Sequence, residues 1–214
     1  MTEAQGADGS IRLIDTPDGP ARVTASRPPG IPLGLLVLGH GAGGLRWTDD
    51  VLATRVAAVE AGWAVALVDQ PWRVAGRRIG GPPASLDRAW LAVLGTLEVD
   101  RPVGPLVVGG RSAGARVACR TAATVGAGAV LALSFPLHPP GRPDRSRADE
   151  LRMPAADGIS VHVIQGISDA FGTPDEVRAE LARGSTLDEV PGTHSLERAA
   201  ALVAAAAVAR LSLT

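Results

Sequence analysis

The chain has 214 residues, 46% of them hydrophobic, and a formal net charge of −1. These values suit a single domain with a sizeable core, spanning residues 1–214. The balanced charge gives no support for a nucleic-acid or anionic-membrane partner. No segment reaches about 18 consecutive apolar residues, so we expect no membrane-spanning helix.

The two termini and the composition favour a cytoplasmic bacterial protein. Residues 1–10 lack the basic and apolar regions of a signal peptide, and we expect them to be flexible. Cys119 is the single cysteine and cannot form an internal disulfide, which fits a reducing compartment. All 21 basic residues are arginine, and Lys, Asn and Tyr are absent. We interpret this bias as the mark of a GC-rich genome.

Strand and helix patterns alternate along the N-terminal half of the chain. The predicted strands are residues 11–15, 21–25, 33–40, 63–69 and 105–110. The predicted helices are residues 49–61, 86–97 and 113–125, the first capped by Thr48 and the second by Ser85. Residues 70–83 are predicted to form a loop.

The same alternation continues to the C-terminus. The predicted strands are residues 128–137, 159–166 and 185–190, and residues 138–158 are predicted to be a charged, proline-rich loop. A capping box at Thr173 predicts a helix through Arg183, and Ser195 is predicted to cap the closing helix. Together these patterns predict a three-layer α/β/α sandwich around a mostly parallel twisted sheet, without a large lid.

The pentapeptide Gly110-Arg111-Ser112-Ala113-Gly114 matches G-x-S-x-G between a predicted buried strand and a predicted helix. In that setting the serine occupies a strained turn with positive φ, and the small flanking residues give the backbone clearance. The alternative is that the G-x-S-x-G pattern occurs by chance in a chain with 26 glycines. The strand–turn–helix context favours a nucleophilic serine.

A second glycine-rich turn, GHGAGG at residues 39–44, follows the strand at residues 33–40. Its backbone can aim an N–H group at a developing oxyanion, with the N–H of Ala113 as the other donor. The alternative is an ordinary turn. We interpret His40 as a structural residue.

Chain order supplies the other two groups that a serine nucleophile needs. Asp169 follows the strand at residues 159–166, and His194 follows the last strand. Both are therefore predicted to lie at the same sheet edge as Ser112. The weaker candidates are two other histidines and three other acids, namely His138, His162, Asp175, Asp188 and Glu189.

The chain resembles the α/β-hydrolase superfamily, and within it a small lidless branch related to dienelactone hydrolases, with bacterial members and a testis-expressed animal relative. The likeness is carried by GHGAGG, GGRSAGARVA, FPLHPPGRP, VIQGISDAFGTPDE and GTHS. It implies Ser112 as nucleophile, His194 as base and Asp169 as acid. It also implies that the N–H groups of Ala113 and of Ala42 or Gly43 bind the oxyanion. QPWR stands where related proteins often carry FPY, so the pocket wall near Trp72 is expected to differ.

The predicted activity is hydrolysis of a small-molecule ester or thioester, without cofactor or metal, by a monomer or homodimer. The alternatives are a non-catalytic binding scaffold on the same fold, and acyl transfer to an alcohol or peroxide. Trp47, Trp72 and Arg111 are pocket candidates, whereas Trp63 and Trp90 are expected in the core. A group of arginines could steer an acidic substrate, but we favour a salt-bridged surface for them. They are Arg73, Arg77, Arg78 and Arg111.

Overall fold

An eight-stranded sheet organises residues 9–43, 45–98 and 101–213, which are the residues that the computed structural model describes. Of residues 1–10, which were predicted to be flexible, all but the last two lie outside the described residues. The strands are β1 Ser10–Ile14, β2 Ala21–Ser26, β3 Leu35–Gly39, β4 Ala64–Asp69, β5 Leu106–Arg111, β6 Ala129–Leu133, β7 Ser160–Gly166 and β8 Thr186–Val190.

The strand order is β1-β2-β4-β3-β5-β6-β7-β8. From β4 to β8 all neighbours are parallel, and only the β1–β2 and β2–β4 pairs are antiparallel. Strands β3, β4 and β6 are buried along their whole length. Covered on both faces, they read as continuous apolar runs in the sequence, as parallel strands do. The mostly parallel sheet is confirmed.

Helices cover both faces of the sheet, which makes three layers. The helices are α1 Asp49–Glu60, α2 Pro71–Val74, α3 Pro83–Leu97, α4 Ala113–Thr121, α5 Ala148–Arg152, α6 Pro174–Glu180 and α7 Ala200–Leu211. Residues on α1 and α7 pack with Leu36 and Leu38 on one side. Residues on α3 to α6 pack with Leu35 and Val37 on the other. The alternation of β3 side chains between two cores confirms the predicted sandwich.

Several element boundaries differ from the predictions, and proline explains one of them. Helix α3 begins at Pro83 instead of following Ser85, because proline at the first helical position has its φ already set and needs no N–H acceptor. The predicted loop at residues 70–83 contains the short helix α2. In the predicted loop at residues 138–158, α5 lies between two 3₁₀ turns, Pro143–Arg145 and Met153–Asp157.

The other differences concern helix and strand ends. Helix α4 ends at Thr121 and strand β6 at Leu133, both shorter than predicted. The capping box at Thr173 is present, but α6 ends at Glu180 because Leu181 adopts an extended conformation. The closing helix α7 starts at Ala200, after a 3₁₀ turn at Glu197–Ala199, so Ser195 is not its cap. Among the described helices, none has the length and hydropathy to span a bilayer.

Candidate active site

Ser112 occupies the turn between β5 and α4 with φ 53° and ψ −107°. A β-carbon on Gly110 or Gly114 would lie 2.4 or 2.5 Å, respectively, from the carbonyl oxygen of Gly39. Only glycine fits at such a distance, because real β-carbons do not approach backbone oxygens this closely. The predicted positive φ and the need for glycine on both sides are thus confirmed, and the turn holds the hydroxyl at the edge of the sheet.

Three side chains that are far apart in the sequence form one hydrogen-bonded chain. His194 Nε2 lies 2.9 Å from Ser112 Oγ, and His194 Nδ1 lies 2.9 Å from Asp169 Oδ2. A carboxylate can only accept, so Nδ1 carries the proton and Nε2 accepts from the hydroxyl. The structure therefore brings all three sequence-predicted residues together, at the carboxyl ends of β5, β7 and β8.

Asp169 is 1% exposed and is held by groups besides His194. Its Oδ1 accepts from the N–H of Phe171 at 2.9 Å, and its Oδ2 accepts from Gln165 Nε2 at 3.0 Å. The Gln165 amide also accepts from the N–H of Phe135 through Oε1 at 2.9 Å. These bonds fix the position of the carboxylate independently of its bond to the imidazole. Gln165 was not predicted to belong to the site, because its only signal in the sequence is that it is a polar residue inside the apolar strand β7.

Arg111 does not line the pocket, contrary to expectation. Its Nη2 donates to the carbonyl oxygen of His194 at 2.7 Å, and its Nε lies 3.4 Å from Asp50 Oδ2. The Asp50 side chain is fully buried, and neither of its oxygens has a hydrogen-bond partner within the described chain. Arg111 therefore links the histidine loop to α1. The ring of Phe171 supports the other side of His194, with ring centroids 4.1 Å apart.

A cavity of about 230 Å³ opens beside Ser112, between the GHGAGG turn, α3 and α4. Trp72, a predicted pocket residue, lines this cavity. Trp90 is buried in the core, as predicted, and also lines the cavity. Trp47, which was also predicted to line the pocket, is not among the lining residues of the described chain; its ring is edge-on to that of His40, with centroids 5.7 Å apart. The other lining residues on the described chain are Gly39, His40, Ala42, Gln70, Ile79, Gly80, Gly81, Pro83, Leu86, Ala113, Gly114, Arg116, Val117 and Arg120.

His40 ties the GHGAGG turn to the start of α2. Its Nε2 accepts from the N–H of Gln70 at 3.0 Å, so Nδ1 carries the proton and donates to the carbonyl of Gly41 at 2.8 Å. Burial lowers the pKa of His40 to about 4, with Arg73 adding to the effect and the bond to Gly41 opposing it. The imidazole is therefore neutral at neutral pH, in the one tautomer that makes both bonds. This agrees with its interpretation as a structural residue.

Two of the three residues predicted to supply oxyanion donors line the cavity next to Ser112. Ala113 is the first residue of α4, and the N–H of such a residue has no acceptor within its own helix. Ala42 lies across the cavity in the GHGAGG turn, and both residues line the wall. Gly43, the alternative donor, is not among the lining residues. The N–H of Ala113 lies at the N-terminus of α4, where the helix dipole favours a negative charge such as an oxyanion.

The remaining sequence candidates lie outside the hydrogen-bonded chain. Arg73 is buried, pairs with Asp69 at 3.3 Å and covers the ring of Trp47, whereas Arg77 and Arg78 are exposed. His162 is bonded to Thr186, and His138 approaches Glu176. Within the described ranges, no cluster of three His, Cys, Asp or Glu side chains could hold a metal ion.

Comparison with solved structures places these elements in a known fold. An alpha-beta serine hydrolase homologue from Coxiella burnetii superposes with a TM-score of 0.77, at 19% identity, covering 99% of this chain and 98% of that one. An α/β serine hydrolase without lid from Xanthomonas campestris gives a TM-score of 0.71, at 23% identity and 98% of both chains. The dienelactone hydrolase of Anabaena variabilis gives 0.69, at 20% identity and 94% of both chains.

Sequence comparison gives a family assignment. No curated protein matches the chain. Residues 33–202, which include Ser112, Asp169 and His194, match the family described as alpha/beta hydrolase domain. Because this match spans most of the sequence, the chain belongs to the alpha/beta hydrolase domain family.

Proposed function

We propose that the protein is a serine hydrolase that cleaves an ester or thioester of a small molecule through an acyl-enzyme. The observation that carries the proposal is the continuous hydrogen-bonded chain from Ser112 Oγ through His194 to Asp169, with distances of 2.9 Å at both bonds. A serine hydroxyl needs an adjacent base to become a nucleophile, and that base needs an orienting carboxylate.

In the first half of the reaction, Ser112 Oγ attacks the carbonyl carbon while His194 Nε2 takes its proton. The carbonyl oxygen becomes an oxyanion, which the N–H groups of Ala113 and of Ala42 bind. When the tetrahedral intermediate collapses, the imidazolium gives the proton to the leaving oxygen or sulfur, and the acyl group stays on Ser112. Asp169 stabilises the imidazolium throughout and remains ionised.

In the second half, a water molecule takes the place of the leaving group. His194 removes one of its protons, the resulting hydroxide attacks the acyl carbon, and the oxyanion forms again between the same amides. Collapse releases the carboxylic acid and returns the proton to Ser112. The supports of Asp169 and His194, namely Gln165, Phe171 and Arg111, keep the imidazole in place for both halves.

The test is turnover of short-chain p-nitrophenyl esters and thioesters by the purified protein. We expect Ser112→Ala to abolish turnover and Asp169→Asn to lower kcat by about 10⁴, because the amide stabilises the wrong imidazole tautomer. Ser212→Ala, an exposed serine at the end of α7, is the matched control and should leave kcat unchanged. Turnover that persists in Ser112→Ala would refute the proposal, and a folded but inactive wild type would favour a binding scaffold.

A further inference from the structure

Two arginines line the cavity beside Ser112, and both are engaged by carboxylates that lie behind them. Arg116 donates to the two oxygens of Glu150, each at 2.7 Å. Arg120 donates to the two oxygens of Asp87 at 2.6 and 2.9 Å and to Glu150 at 3.0 Å. Two guanidinium groups of the cavity wall thus face two carboxylates. Arg147, which donates to the carbonyl oxygen of Pro136, adds a positive charge near Arg116 and Glu150, but it is not among the lining residues.

The hydrogen bonds within this cluster favour the charged forms of Arg120 and Glu150. Burial disfavours the charged form of Arg120, but its bonds to Asp87 and Glu150 outweigh this and raise its pKa. Burial likewise opposes ionisation of Glu150, yet Arg116 and Arg120 lower its pKa. The cavity wall therefore presents ion-pair dipoles, whose field falls off faster than that of a free cation. A carboxylate entering here would lose its hydration without gaining an unpaired partner.

The rest of the cavity is suited to apolar groups. The rings of Trp72 and Trp90 form part of its wall, together with Leu86, Pro83 and Val117. Its volume of about 230 Å³ is below the range of about 300–1,000 Å³ that is usual for drug-sized ligands. The space therefore suits an aliphatic acyl group of moderate size and is too small for a drug-sized ligand.

The position of the cavity indicates which half of the substrate enters it. His194 must protonate the leaving group, so that group lies on the His194 side of Ser112. Among the described residues, the lining set includes Ala42 and also Ala113, the neighbour of Ser112, but not Ser112, His194 or Phe171. The cavity therefore faces the acyl half of an ester whose carbonyl oxygen points at the two amides.

We infer that the cavity binds the acyl half of the substrate and selects uncharged, apolar acyl groups over those that end in a carboxylate. This inference rests on the proposed function. The two arginines among the lining residues of the described chain, Arg116 and Arg120, are already hydrogen-bonded to Glu150 and Asp87, so an entering carboxylate would have to compete with these partners.

The experiment compares two nearly isosteric esters, p-nitrophenyl 6-methylheptanoate and mono-p-nitrophenyl adipate. The first carries an isopropyl group at the position where the second carries a free carboxylate. For the wild type, we expect kcat/KM to favour the uncharged ester by about 100-fold, since an unpaired carboxylate is costly to bury. Equal values, or a preference for the adipate, would overturn the inference.

A variant then tests the cause of the selectivity. Glu150→Gln frees one guanidinium, and we expect it to reduce the selectivity ratio about tenfold by attracting the adipate. Asp87→Asn provides a second, independent release, in case the first variant does not fold. Glu180→Gln removes a similar carboxylate from Arg152 between α5 and α6, outside the cavity, and should leave the ratio unchanged. If both cavity variants keep the wild-type ratio, the compensated arginines do not set the selectivity.

Failure of the hydrolase proposal has a different signature. In that case neither ester is turned over and Ser112 does not react with a fluorophosphonate, whereas failure of the inference alone leaves turnover intact with the wrong selectivity. Either result overturns the inference.

Discussion

The buried histidine of the GHGAGG turn makes a quantitative prediction about stability and pH. Burial holds the pKa of His40 at about 4, compared with its ordinary value of 6.5. Between these values the unfolded chain takes up a proton at this position and the folded chain does not. Stability therefore rises with pH through this window and is lost as the pH falls from about 6.5 towards 4.

The size of the effect follows from the two pKa values. A difference of about 2.5 units corresponds to about 3 kcal/mol when the transition is complete. Between pH 7 and pH 5, where the transition is partial, His40 should remove about 2 kcal/mol from the free energy of unfolding. The main physical reason is that burial disfavours the charged imidazolium. A proton on Nε2 would also displace the N–H of Gln70, which donates to that atom.

The assay is urea unfolding followed by tryptophan fluorescence at pH 5, 6, 7 and 8, for the wild type and for His40→Gln. Glutamine keeps an acceptor on the side chain but does not titrate. Every other ionisable group is common to both proteins, so the difference between the two pH profiles isolates His40. We expect the profiles to be parallel between pH 7 and 8 and the wild type to lose about 2 kcal/mol more by pH 5. Parallel profiles over the whole range would refute the reasoning.

Other positions give further predictions. Gly114→Ala should destabilise the fold by about 1–3 kcal/mol, because the new β-carbon would clash with the backbone of Gly39. Gly95→Ala in α3 has open space around it and should be neutral or stabilising by up to about 1 kcal/mol. Thermal unfolding of the two variants tests this difference. Arg111→Met should cost about 3–5 kcal/mol by stranding the buried Asp50, and adding Asp50→Asn should recover part of the loss in a double-mutant cycle. Cys119 is buried and burial raises its pKa to about 12, so a thiol reagent should modify it only in urea.

The parts of the site that chain geometry dictates could be predicted from the sequence. Ser112 needs glycines at 110 and 114 because the turn presses its backbone against Gly39, and that requirement is visible in the residue types. Asp169 and His194 follow parallel strands, and the carboxyl ends of such strands meet at one edge. Their position at the same sheet edge as Ser112 therefore follows from the alternation of strands and helices along the chain.

The features that the sequence did not reveal depend on partners that are distant along the chain. Gln165 is important because its side chain joins the nearby Asp169 to the backbone of Phe135. Phe135 lies 30 residues earlier in the chain, and the sequence does not indicate that it lies beside Gln165. Arg111 adjoins Ser112 in the sequence and was predicted to line the pocket, but its guanidinium pairs with the buried carboxylate of Asp50 on α1. In residues 138–158, prolines and charges suggested a loop, whereas Leu151 anchors a short helix in the core.

The central claim is that Ser112 is a nucleophile activated by His194, and covalent labelling tests it most directly. After reaction with a fluorophosphonate, intact-mass spectrometry of the wild type should show one added phosphonyl group per chain, located on the peptide that contains Ser112. The label should be absent from Ser112→Ala and should form at least about 100-fold more slowly in His194→Gln, which lacks the base. A folded wild type that stays unlabelled, or one that labels at the same rate without His194, would contradict the account.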